Sequence, residues 1–210
     1  MPLQNRVNPW GDLQAVDARG VWMGNRGRLH DESKRITRQF EIKRWISCAL
    51  SFKGYKRELM SPDSYTELFF MDEATAYAAG HRPCAECRRE AYKRFKATWA
   101  TCFPEQQNPS AETIDRMLHA SRLNADGSKR TWRALVNDLP DGALIEIDGQ
   151  CLLLWQGRQW QWFFTGYQPA AQPLPAESEV TVLTPEPIVK LFAAGLSKTL
   201  QVAVSHPDVA

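Results

Sequence analysis

No stretch of this 210-residue chain stays apolar over the roughly 20 residues that a membrane crossing takes, so a membrane-embedded protein is not expected. The first residues, MPLQNRVNPWGDLQ, lack a basic start followed by an apolar run, which argues against a secretory leader and for the cytoplasm. There is no Walker, GxGxxG, GxSxG or HExxH pattern, so the common nucleotide-binding, serine-hydrolase and zincin signatures are absent. No internal repeat is present. Histidine is scarce, with four residues. The five cysteines are odd in number and unevenly spaced, which does not make a disulfide framework. In a reducing compartment such cysteines stay as thiols unless they bind metal or do redox work.

What is there suffices for a folded domain. Hydrophobic residues make up 43% of the chain, enough for a sizeable core. The net charge of +2 hides an asymmetry. Residues 1–100 hold 18 Lys and Arg against 12 Asp and Glu, whereas residues 101–210 hold 8 against 12. A basic half is the electrostatic footprint of a protein that meets phosphates, although a solvated surface has the same composition.

The local patterns alternate between strand and helix. Residues 1–30 look irregular, with turn signals in NPWG and GNRGRLH. RWISCALSF, residues 44–52, alternates with Ile46, Cys48, Leu50 and Phe52 on one face, as a strand does. A turn at Lys53–Gly54 and a return strand over 55–60 follow, and TELFF is a further short strand. Asp72 is placed to cap a short Ala-rich helix that Gly80 ends. Helical spacing resumes with Tyr92, Phe95 and Trp99, and again over Ala111–Leu123. Beyond residue 139, Asp-Gly and Gln-Gly turns between apolar runs predict a β-meander or small barrel, whose core the crowded Trp155, Trp160 and Trp162 would fill. A strand at EVTVLT and a helix in PEPIVKLFAAGL close the pattern. The expected architecture is α+β: an α+β unit over 1–105, a helical link over 106–130, and a small β-rich unit with a terminal helix over 131–210.

The paired cysteines lie in AAGHRPCAECRREAYKRF. Cys84 and Cys87 form C-x-x-C, the spacing at which two thiolates converge on one tetrahedral ion. The positive end of a following helix would favour thiolate. This is half of a zinc site, and the other donors must come from elsewhere. The candidates are Cys48, His30, His81 and Cys102. Cys48 shares an apolar face and could equally be a core filler. His81 stands so near Cys84 that it suits an outer contact or a phosphate contact better. Cys102 lies a helix length away, at roughly 1.5 Å per residue. Cys151 reads as core.

Residues 48–89 resemble the zinc-binding N-terminal domain of the Ada DNA-repair protein. Gly80, Arg82, Pro83, Cys84, Cys87 and Arg88 match its closing motif in order, after an aromatic strand and an Ala-rich helix. More widely, GNRGRLHD and the segment YTELFFMDEATAYAAGHRPCAECRR resemble a bacterial family of unassigned activity. The resemblance implies a zinc-stabilised, Ada-like N-terminal unit with Zn²⁺ as its cofactor and DNA as its partner. Ada-type domains use four cysteines, and Phe52 stands here where the second would fall. The expected ligand set is therefore Cys48, Cys84 and Cys87, with His30 from the loop GNRGRLH recruited as the fourth donor. In that family a zinc-bound cysteine accepts a methyl group from a DNA phosphotriester.

Arg26, Arg28, Arg82, Arg88 and Arg89 are the candidate nucleic-acid contacts; Arg26 and Arg28 lie beside glycines whose backbone N–H groups could share a phosphate. His119, Arg116 and Arg122 fall on one helix face and, with Lys129, Arg130 and Arg133, could form a second phosphate-facing patch. Three functions remain open on these residues. The first is a structural zinc protein that binds nucleic acid in repair or regulation. The second is an enzyme using the zinc, as a thiol methyl acceptor or as a hydrolase or nuclease with an open coordination position. The third is a C-x-x-C dithiol redox protein.

Overall fold

The structure is a computed structural model and describes residues 1–54, 58–106 and 108–204. It is a mixed α and β fold with two six-stranded sheets and four α-helices among the described residues. The first sheet contains β1 (Arg6–Val7), β2 (Leu13–Gln14), β3 (Trp22–Asn25), β4 (Ile46–Cys48), β5 (Leu68–Phe70) and β6 (Arg82–Pro83), in the order β2-β1-β5-β3-β4-β6. The β1–β5 and β4–β6 pairs are parallel and the rest antiparallel. The N-terminal segment expected to be irregular therefore supplies three strands. Each is too short to show a period of two, and pairing rather than local propensity defines it.

Strand β4 covers only the middle of the alternating stretch 44–52. Its tail turns at Lys53 and Gly54, both with positive φ, where the turn was expected. The return strand expected over 55–60 falls partly outside the described residues, and 58–60 run into a turn. Helix α1 (Glu73–Ala78) begins at Asp72, whose side chain accepts from the Thr75 backbone N–H. It ends before Gly80, at φ 84°. A Cβ on Gly80 would stand 2.5 Å from the Arg122 side chain, so this glycine serves both the turn and a close approach.

Helix α2 (Arg89–Cys102) buries Phe95 and Trp99, as their spacing predicts. Helix α3 (Ala111–Arg122) is capped by Ser110 and buries Ile114 and Leu118. Both pack with α4 (Glu186–Ala193) through Ile188, Leu191 and Phe192.

The second sheet contains β7 (Trp132–Leu135), β8 (Leu144–Ile147), β9 (Gln150–Trp155), β10 (Arg158–Phe163), β11 (Gly166–Pro169) and β12 (Glu179–Val182), in the order β11-β10-β9-β8-β12-β7. Strands β8 to β11 are the expected meander, joined by turns at 148–149 and 156–157. Strand β9 reads as an unbroken apolar run because both its faces are covered. Cys151 and Leu153 pack with Ala74 and Ala78 of α1, while Leu152 and Leu154 pack with Val189 of α4. Trp160 and Trp162 are buried in the α1-facing cluster, and Trp162 Nε1 donates to Thr75 Oγ1 at 2.9 Å. The aromatic crowd of this region is thus mainly core.

Candidate metal centre

Parallel pairing of β4 with β6 assembles the centre. The register sets Ile46 opposite Arg82 and Ser47 opposite Pro83. One step further along both strands, Cys84 comes beside Cys48, and the Cys84 N–H donates to Ser47 O at 2.9 Å. The chain then folds back through a turn in which the Arg88 N–H donates to Cys84 O at 3.2 Å, so Cys87 returns toward Cys84. The sulfurs of Cys48, Cys84 and Cys87 all lie within 4.8 Å of one another. Tetrahedral zinc with sulfur at about 2.3 Å sets its ligands roughly 3.8 Å apart, so this donor set fits a thiophilic ion. Cys48 is buried, and Cys84 and Cys87 are partly exposed.

The three thiols do not ionise alike. A hydrogen bond from Cys48 lowers the Cys84 thiol to about 5, with backbone N–H groups of Cys87 and Glu86 adding to the effect against burial. Cys48 is pushed up, first by its hydrogen bond to Cys84 and then by burial. Cys87 is pushed up by burial and by the charge on Cys84. One thiolate between two thiols is the arrangement that a divalent cation converts to three thiolates by displacing protons.

Two arginines brace the loop that carries Cys84 and Cys87. Arg82 forks onto Asp115 of α3, with Nε–Oδ1 at 2.8 Å and Nη2–Oδ2 at 2.7 Å, both residues being buried. Arg88 pairs with buried Glu73 of α1, donates to Ser47 Oγ at 2.7 Å and lies 3.8 Å from the Trp22 ring centroid. Both guanidinium groups are thus committed to interior carboxylates. Of the other candidate nucleic-acid contacts, Arg26 is also buried, Arg28 pairs with Asp63 at 2.6 Å on the surface, and Arg89 is exposed at the start of α2.

His30 lies elsewhere than with the three sulfurs. Its Nδ1 is 2.6 Å from Thr66 Oγ1 and its Nε2 is 3.2 Å from Ser61 O, a buried imidazole tying two loops together. Cys102 donates weakly to Lys190 O at 3.6 Å, and Cys151 is core. Among the described residues no further His, Cys, Asp or Glu atom joins the group of three.

The sulfurs form part of the wall of a cavity of about 800 Å³. Ile46, Cys48, Leu50 and Phe52, the predicted apolar face, all line it. Sequence reasoning did not single out Glu67, Tyr65 and Asn25, which supply polar groups to the same wall. Glu67 is buried and its Oε2 accepts from the Met60 N–H at 2.8 Å. A carboxylate just before an apolar strand was the signal that could have marked it. Among the described residues the charged ones of this lining are Glu67 and Glu86.

Comparison with protein-family models, with curated proteins and with solved structures found no match for the chain.

Proposed function

We propose that the protein is a zinc protein whose three-cysteine centre acts on a ligand held in the adjoining cavity, with sulfur as the nucleophile. The observation that carries this reading is the place of three clustered sulfurs, two of them partly exposed, in the wall of an 800 Å³ cavity with no fourth donor beside them among the described residues. A closed structural site fills all four tetrahedral positions with protein atoms, whereas a reactive site keeps one free. Phe52, at the place where the Ada resemblance would put another cysteine, contributes a ring to the cavity wall. Zinc bound here would keep all three sulfurs ionised at neutral pH while leaving them soft nucleophiles. The apolar wall of Leu50, Phe52 and Leu59 suits an electrophile with an apolar group to transfer. Alkylation at Cys84, the partly exposed sulfur with the lowest pKa, fits the methyl acceptor that the Ada resemblance implies.

A second reading, nucleic-acid binding, draws support from α2, where Arg89, Lys93 and Arg94 are exposed beside the centre. It expects an affinity that weakens steeply with salt.

Metal analysis is the first test. Purified protein should retain about one zinc per chain after dialysis, and Cys84→Ser or Cys48→Ser should lose it. A chelator should lower the melting temperature. Incubation with methylphosphotriester DNA, or with a simple methylating agent, should add one methyl group at Cys84. Folded protein that holds no metal, or that carries a Cys84–Cys87 disulfide as purified, would overturn the proposal.

A further inference from the structure

A second cavity, of about 210 Å³, lies behind the cysteine cavity and shares no lining residue with it. Asn25 and Ile46 face the cysteines, while their chain neighbours Arg26 and Trp45 face this smaller space, as alternate residues of extended chain do. Three cations from distant segments meet there: Arg26 after β3, Arg122 at the end of α3, and Lys129 in the loop before β7. The Arg26 and Arg122 guanidinium groups stand over the same Trp45 ring, 4.1 Å and 3.9 Å from its centroid.

Their protein partners are neutral. Arg26 donates through Nη1 to Gly11 O at 2.9 Å and through Nε to His81 Nε2 at 3.2 Å. Arg122 donates to Gly80 O at 2.9 Å, to Lys43 O at 2.6 Å and reaches His119 Nδ1 at 3.0 Å. Lys129 Nζ donates to Ala78 O. Arg26 Nη2 and Arg122 Nε, both buried, have no partner among the described residues, and the two residues are each 1% exposed. Nη2 lies at the cavity wall, 3.7 Å from where a Cβ on Gly11 would stand. Among the described residues the one carboxylate in the lining is Asp12, which is exposed and accepts from Asn8. Asp115, the other nearby acid, is occupied by Arg82.

Buried like charges with spare N–H donors are costly unless an anion joins them. Burial lowers Arg26 to about 9 against the charge of Asp12, while burial and the charge of Arg26 lower Lys129 to about 7 and Arg122 well below its ordinary value. We propose that this cavity binds a small dianionic oxyanion, an inorganic phosphate or the phosphoryl end of a small phosphomonoester. Three cations against one carboxylate leave an excess that a dianion balances. The volume is several times the roughly 30 Å³ share of one water, which admits a tetrahedral oxyanion and part of its ester but not a polymer strand. The spare N–H groups of two guanidinium ions, Arg26 Nη2 and Arg122 Nε, and an ammonium are charged donors of the kind that phosphate oxygens accept from.

The test is calorimetric titration of the full chain near pH 7 with inorganic phosphate and, separately, with glycerol phosphate. One saturable site with a raised melting temperature is expected. The ligand that binds tighter identifies whether free phosphate or a monoester is the natural occupant. Lys129 is only partly buried, so Lys129→Gln should fold, and it should weaken phosphate binding about tenfold. Arg28→Gln, on the same glycine-containing loop but paired outward with Asp63, should keep wild-type affinity. Absence of phosphate binding, unchanged affinity in Lys129→Gln, or binding of an oligonucleotide but of neither small phosphate would overturn the proposal.

Discussion

His81 sits fully buried between Phe70 and Trp45, with ring centroids 4.6 Å and 5.2 Å away, and accepts from Arg26 Nε. Acceptance requires a neutral ring. Burial, with the charges of Arg26 and Arg122, holds its pKa well below the usual histidine value. The unfolded chain takes up this proton near pH 6.5 and the folded one only far lower. Stability from this group is therefore complete above about pH 6.5 and is lost as the pH falls from there toward the folded pKa, at up to about 1.4 kcal/mol per pH unit. Urea unfolding between pH 7 and pH 5 should show this slope, and His81→Gln, which can still accept from Arg26, should flatten it. From its place in the chain His81 suggested an outer contact to the metal or to a phosphate. Its burial under Phe70 depends on β5, an upstream strand that no local pattern around His81 reports.

Helix α1 illustrates what local signals achieve at the scale of an element. Asp72, the Ala-rich run and Gly80 mark its start and end correctly, because caps and left-handed stops act within a few residues. The same Asp72 has a tertiary role. Besides Thr75, it accepts from the Tyr167 hydroxyl at 3.0 Å in β11 and from the Ala203 N–H at 3.2 Å. Asp72→Ala removes the cap and orphans these donors, so it should cost about 2 kcal/mol or more in chemical denaturation. Asp72→Asn keeps a capping oxygen and should cost about half as much. An equal loss in both variants would show that charge, not capping, is what α1 requires. Strands β1, β2 and β6 span two residues each, and nothing in so short a stretch distinguishes strand from loop before its partner is known.

At the scale of the molecule, α1 belongs to both halves. Ala74 and Ala78 pack under the second sheet, while Ala76 and Ala79 pack with Leu68 and Phe70 of the first. Glu73 also accepts from the Gln201 N–H at 3.0 Å, which brings the C-terminal segment onto the same helix. Elements with a common buried helix lose their cores together. Tryptophan fluorescence and far-ultraviolet circular dichroism should therefore trace one coincident transition in urea. Two separated transitions would mean that the sheets fold independently and that α1 holds to only one of them.

The amino-acid sequence by itself determined the features that act over a few residues: the cap at Asp72, the meander turns, the buried spacing of Phe95 and Trp99, and the C-x-x-C that draws Cys84 and Cys87 together. The apolar face of 46–52 was legible too, although its role as a cavity wall was not. Only the tertiary structure decided that parallel pairing of β4 with β6 sets Cys48 beside that pair, that His30 bonds to Thr66 and Ser61, and that Arg26, Arg122 and Lys129 share one small cavity. The physical reason is range. Periodicity, caps and turns are interactions between near neighbours along the chain, whereas these sites form between segments tens of residues apart, and packing of the whole core selects which of them meet.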